Sequence, residues 1–327
     1  MPGLKPTAAR GRRWREALRQ GATAPIKRRI LAVIASHGRG TGIDYDEPEG
    51  DAGLFGPDSV VWRVHADFPA MMAGGICALM LQALHPLALA GVHDHADFQH
   101  DVLGRLRRTI GFVSATTYGP TAAAQQRIER VCAIHHTVRG VARDGRPYSA
   151  DDPALLTWVH CAEMWSFMHG YMSYRGVTLP LALQDRYYDE TRRVAEALGA
   201  CDVPRTAGEI DAYFQQLQPQ LRCDADTRAV LGILDDVPLP VPASGLVRGL
   251  FLHAGSALLP DWGRRLLARD TRALRLRDRA AARCLRIVAP ALRAAMMDGI
   301  AARSCRRVGL DPKTIYTGFS SPRSSSA

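Results

Sequence analysis

Aromatic residues make up only 7% of this 327-residue chain, and no strand-like alternation of useful length interrupts its Ala-, Leu- and Arg-rich segments. Strands favour β-branched and aromatic side chains, whereas Ala, Leu and Arg are strong helix formers, so the fold class expected is all-α. The seven cysteines (Cys77, Cys132, Cys161, Cys201, Cys223, Cys284, Cys305) are scattered, odd in number and form no C-x-x-C pair. That argues against a disulfide framework and a zinc knuckle, and favours buried free thiols in a reducing compartment, the cytosol. Also absent are the G-x-S-x-G elbow, the Walker loop, H-E-x-x-H and C-x-x-C-H. The common hydrolase and nucleotide-dependent classes therefore have no support. Gly38-x-Gly40-x-Gly42 lacks a strand–turn–helix context and reads as loop.

Long apolar runs are scarce as well. The stretch from Ala70 to Val92 is long enough to span a bilayer, but it is built from Ala and Gly and holds Gln82, His85 and Pro86; a buried core helix is the better reading. No apolar run follows Arg12-Arg13, so no export is expected and the location expected is cytoplasmic. The net charge of +10 is uneven. Residues 1–29 carry nine Lys/Arg and one acid, and residues 261–327 fifteen and five, which leaves eighteen bases and twenty-six acids over 30–260. An acidic centre is a poor nucleic-acid surface, and no nucleic-acid partner is expected.

Three regions follow from the pattern: a basic extension over 1–49, one large helical domain over 50–307, and a tail over 308–327 whose Ser-rich end reads as disordered. Helices are expected at about 59–65, 67–84, 87–92, 97–112, 120–139, 151–173, 180–198, 207–217, 224–234, 243–255, 260–268, 270–287 and 289–307. Thr206 and Glu209 read as a capping box. Arg265, Arg269, Arg272, Arg279, Arg283 and Arg286 fall at helical spacing. Such a stripe reads as a solvated face, with docking on an anionic membrane surface as the sharper alternative.

Against this apolar background a few polar residues stand out: Gln82, His85, Arg105, Thr109, His135 and His160. Buried polar side chains are costly without partners, so their recurrence on apolar helix faces suggests a lined pocket. His135 shares the stripe of Ile128, Val131, Cys132 and Val138 and points inward, whereas His136 sits about 100° away. Arg105 and Thr109 are one turn apart on the face of Phe112 and together suit an anionic or oxygenated group. Leu155 to Tyr171 is apolar nearly all round, and its His160 and Glu163, spaced i, i+3, read as a buried hydrogen-bonded pair. His93, His95 and His100 with Asp94, Asp97 and Asp101 form the densest donor cluster, an alternative site for a divalent metal.

The ordered run GLFGPDSVVWRV (53–64), LMLQALHPLALAGV (79–92), GRLRRT (104–109), HHTVRG (135–140), YSADDPALLTWVH (148–160) and LQDRYYDE (183–190), with VPRT (203–206) and LLPDW (258–262), resembles the mpaB-type oxygenase and rubber oxygenase (latex-clearing protein) catalytic-domain family. The resemblance covers most of residues 50–265. It implies an all-helical domain enclosing a non-covalent haem b, with a histidine as proximal iron ligand. His135 matches that histidine, with His160 and then His136 behind it. Arg105 and Thr109 match an arginine–threonine pair beside the haem, and Gln82 and His85 would border the same pocket. Where the latex-clearing branch places a lysine before the threonine, this chain has Arg108, which stays protonated and cannot ligate iron.

The function so implied is a haem b-dependent oxygenase acting with O2 on a small hydrophobic molecule, unsaturated ones included. Two alternatives stand beside it: a metal-dependent hydrolase built on the cluster from His93 to Asp101, and a non-catalytic helical carrier or membrane-surface protein.

Overall fold

Side-chain caps already visible in the sequence start many of the helices. The computed structural model describes residues 24–33, 42–95 and 101–316. Helix α1 covers 24–33. Ser59 accepts from Trp62 N and starts α2 (Val60–His65); Asp67 accepts from Ala70 N and starts α3 (Phe68–Gln82), and α4 (Pro86–His95) follows a short turn. Asp101 caps α5 (Val102–Tyr118), which runs through Gly119-Pro120 into α6 (Thr121–His135). Strands β1 (Arg139–Val141) and β2 (Pro147–Ser149) pair antiparallel, Gly140 opposite Tyr148. Asp152 caps α7 (Pro153–Arg175), which ends on Gly176 in the left-handed region at φ 69°. Then come α8 (Leu181–Ala197), α9 (Ala207–Leu217), α10 (Ala225–Asp236), α11 (Ser244–Leu258), α12 (Asp261–Leu266), α13 (Arg272–Met296) and α14 (Ile300–Arg307). The fold is all-α apart from the one small hairpin.

The centre is α3, held between α7 and α11. A Cβ on Gly74 would stand 2.8 Å from the Ser166 carbonyl oxygen, one on Gly170 2.8 Å from that of Ala70, and one on Gly255 2.8 Å from that of Ala73. Only glycine permits this approach, so small residues on three helices bring their backbones together. Trp158, Met168, Met80, Leu81 and Leu285 fill the remaining space of this core. A second cluster joins Trp62 and Tyr118 to Tyr45, Cys305 and Ile315 from the two flanks of the chain.

Helices α5 and α6 pack on each other, and α5 also touches α2 and α14. Among the described residues they make at most marginal backbone approaches to α3 and α7. Val113 of α5 packs against the core cluster.

Several expectations are corrected. The run from Ala70 to Val92 is two helices with a turn at 83–85, and among the described residues no helix is long and apolar enough to cross a membrane. The helix expected at 97–112 lies at Val102–Tyr118, because Asp101 caps it. That expected over 120–139 stops at His135, where the chain turns into β1, the strand pair the sequence did not suggest. Pro290 sits inside α13 instead of separating two helices. Arg269 does not belong to a solvated stripe: Ala268 at φ 54° breaks the helix, and Arg269 is buried, donating to Ser256 Oγ at 2.7 Å. Glu209 caps by accepting from Arg205 N at 2.6 Å, not from Thr206, so the expected box is half formed. The loop glycines Gly38 and Gly40, the residues Asp97 and His100, and the Ser-rich end lie outside the described residues.

Candidate functional site

Helix α7 buries most of its surface, and this is what isolates His160 and Glu163. Both are half-buried, yet burial pushes the His160 imidazole down to about 4 and the Glu163 carboxyl up to about 7. The expected hydrogen bond between them is not formed. Each shift comes from desolvation by burial. Polar groups shut away without partners are costly, and natural proteins keep them where a ligand or ordered water completes them.

The same end of α7 gathers two of the other singled-out residues. Gln82, the last residue of α3, donates from Nε2 to the Val159 carbonyl at 3.2 Å, while its own carbonyl accepts from Trp158 Nε1 at 3.5 Å. His85 is buried, lies against Trp158 with ring centroids 6.1 Å apart, and accepts from Ala88 N at 3.4 Å through Nδ1. One imidazole nitrogen of His85 is thus committed to the start of α4, and burial lowers its pKa to about 4.

His135 closes α6. It is half-buried, burial lowers its pKa, and its Nδ1 is shut inside the protein with no hydrogen-bond partner. His136 turns outward as expected and pairs with Asp151 Oδ2 at 2.7 Å. Gly140 has a plain reason to follow: a Cβ there would stand 2.5 Å from the Tyr148 hydroxyl, so HHTVRG and YSADD are coupled by one contact across the strand pair.

Arg105 lies in the second turn of α5, and burial, with nearby Arg108 adding to it, lowers its guanidinium to about 10. Thr109 is exposed one turn on, and Arg108 is exposed and bound to Asp101 Oδ2 at 3.1 Å. Asp101 also accepts from Gly104 N at 2.8 Å, so this one member of the acidic–histidine cluster acts as a cap. His93, Asp94 and His95 end α4, and among the described residues no three His, Cys, Asp or Glu side chains converge on a metal position.

Sequence reasoning missed a buried relay at the other end of this region. His65 bonds Thr117 Oγ1 through Nδ1 and Tyr187 OH through Nε2, both at 2.9 Å, and burial pushes its pKa to about 3. It joins α2, α5 and α8 through one neutral imidazole. The signal available was its position after Val60, Val61 and Val64, which put it at the end of an apolar turn. Glu190 was also passed over: within LQDRYYDE it accepts from Val60 N at 2.8 Å and Val61 N at 3.1 Å, and Arg186 holds its other oxygen at 2.7 Å. It serves as the anion at the N-terminus of α2.

The arrangement defines a class: a helical protein whose central helices carry neutral imidazoles, a protonatable carboxyl and a desolvated guanidinium in apolar surroundings. Residues 62–294 match the family model described as ER-bound oxygenase mpaB/B'/Rubber oxygenase, catalytic domain. The chain belongs to this oxygenase family. No curated protein and no solved structure matches it.

Proposed function

We propose that this protein is a haem b-dependent oxygenase that acts with O2 on a small apolar molecule, and that His135 would hold the haem iron. The supporting observation is the set of desolvated groups without hydrogen-bond partners on α6 and α7: His135, His160 and Glu163. The residues present fit a haem. A lowered pKa keeps His135 in the neutral form a metal requires, and its buried Nδ1 has no hydrogen-bond partner in the protein. One histidine suffices, because a porphyrin brings four nitrogens of its own, whereas a protein-only centre needs three or more converging side chains. Arg105, a cation already stripped of much of its water, is suited to hold a propionate.

When bound, haem supplies the oxygen activation; the chain supplies ligand, orientation and exclusion of water. Apolar α3 and α7 form a dry wall for an apolar substrate. Gln82 fixes the top of that wall through its bond to Val159, and Glu163, near neutrality in its pKa, is able to hold or release a proton at its carboxyl oxygen close to pH 7.

The test is an absorption spectrum of protein expressed with haem precursor, before and after dithionite and carbon monoxide. A Soret band that moves on reduction and disappears in His135→Ala, while His136→Ala keeps it, is the expected result. A colourless wild-type protein after reconstitution overturns the proposal, and a His135→Ala variant with unchanged haem content overturns the ligand assignment.

A further inference from the structure

Helix α13 buries one apolar face and exposes a second, nearly opposite to it. Asp278, Ala282, Leu285 and Ala289 lie on the buried face. On the outward side, Leu276 is 68% exposed and Ile287 72% exposed, with Ala280 and Cys284 exposed on the same line between them. Eleven residues separate the two aliphatic side chains, about 16 Å along the axis, or three turns. Arg272, Arg279 and Arg283 border one side of this line and Arg277 the other; all four are exposed, and none has an acidic partner among the described residues. The only acid in α13 is Asp278, and it points inward.

We infer that the outward face of α13 docks the protein on an anionic lipid surface, with Leu276 and Ile287 entering the acyl boundary and the flanking arginines meeting headgroup phosphates. Arginine stems lie along apolar surface while their heads reach out to phosphate, which suits rows on either side of a thin apolar line. A second copy of the chain fits worse. Pairing this face with itself brings arginine rows against arginine rows with no acid to separate them. Nucleic acid would satisfy the arginines but leave two large aliphatic side chains in water. The inference stands on the surface alone and holds whether or not the internal site carries haem.

The experiment is co-sedimentation of the full chain with vesicles of phosphatidylcholine alone and of phosphatidylcholine with 30% phosphatidylserine, at low and high salt. Two variants go with it: Arg272→Glu/Arg279→Glu/Arg283→Glu and Leu276→Ser/Ile287→Ser. All five positions are exposed, so circular dichroism and thermal midpoint should be unchanged. Binding is expected only to the anionic vesicles and weaker at high salt. At about 1 kcal/mol for each arginine near the surface, loss of three weakens it on the order of 100-fold. The apolar variant should weaken it at both salt concentrations. The proposal is overturned by vesicle binding that both variants leave intact, which would assign it to the basic N-terminus. It is equally overturned by a solution dimer that Leu276→Ser/Ile287→Ser abolishes, or by duplex DNA binding that needs the arginines but not Leu276 and Ile287.

Discussion

Asp278 is 1% exposed and receives His253 Nδ1 at 2.8 Å, Ser256 Oγ at 2.7 Å and Arg264 Nη1 at 2.8 Å, with Arg269 alongside. Arg264 and Arg269 are themselves buried, so this carboxylate is the counter-charge for guanidiniums shut away from water. Asp278→Asn should cost about 3–5 kcal/mol, because a buried pair is broken without removing its other half. The check is the denaturant midpoint at unchanged slope; a loss below about 1 kcal/mol would mean that water already reaches the arginines. Glu163 calls for the opposite outcome. Its carboxyl is at about 7 in the fold and near 4.5 when unfolded, so between those values the folded chain holds the extra proton and stability falls as pH rises. Glu163→Gln should stabilise the cofactor-free protein at pH 8 by on the order of 3 kcal/mol and leave it nearly unchanged at pH 4.5. Equal gains at both pH values would show that desolvation of the carboxylate is not the cause. Of these two residues the sequence made only Glu163 conspicuous, since it interrupts an apolar helix. Asp278 sits in an arginine-rich stretch that looks solvated, and only the break at Ala268 turns Arg269 and Asp278 toward each other.

At the scale of the elements, backbone contact decides what α3 can carry. Gly74→Val would place side-chain carbons against the Ser166 carbonyl and the Phe167 ring, both within 3.1 Å of where a Cβ alone would lie. Overpacking of this kind costs about 1–3 kcal/mol, and more here because one neighbour is backbone that cannot rotate away. Thermal unfolding of the variant should show a clearly lower midpoint, whereas the same change at Gly208, which has no atom within 4 Å, should shift it little. Helix starts were mostly legible in the sequence: Ser59, Asp67, Asp152, Asp224 and Thr271 each place a side-chain acceptor over a first turn within two residues of where it was expected, whereas the cap at Asp101 was missed. Ends were less so. Pro290 removes one donor inside α13, but Arg293 three residues on is clamped to Asp67 Oδ2 at 2.7 Å and to the Tyr174 carbonyl at 2.7 Å, so tertiary contacts carry the helix through. The three-residue strands were too short for alternation to register, and they exist because Tyr148 packs over Gly140 and Gly91.

For the whole molecule the consequence of packing imidazoles into an apolar interior is acid sensitivity. His65 is lowered to about 3, and His85 and His160 to about 4, from an unfolded value of 6.5, in each case chiefly by burial. A lowered folded value means that the unfolded chain binds the extra proton. The stability tied to these three groups is therefore complete above pH 6.5 and is lost as pH falls toward 4. Glu163 acts in the reverse sense over 4.5 to 7, but it is one group against three, so the net slope follows the histidines. Each histidine contributes at most about 3–5 kcal/mol, which together approaches the whole stability of a domain. Denaturant unfolding of the cofactor-free protein should accordingly show lower stability at pH 5 than at pH 7. Substituting His65 by Gln should flatten that difference by about half, and Glu163→Gln should steepen it. A stability that is flat between pH 5 and 7 in the wild type would mean that water reaches these imidazoles, and the dry interior proposed for the substrate would then have to be abandoned along with the slope.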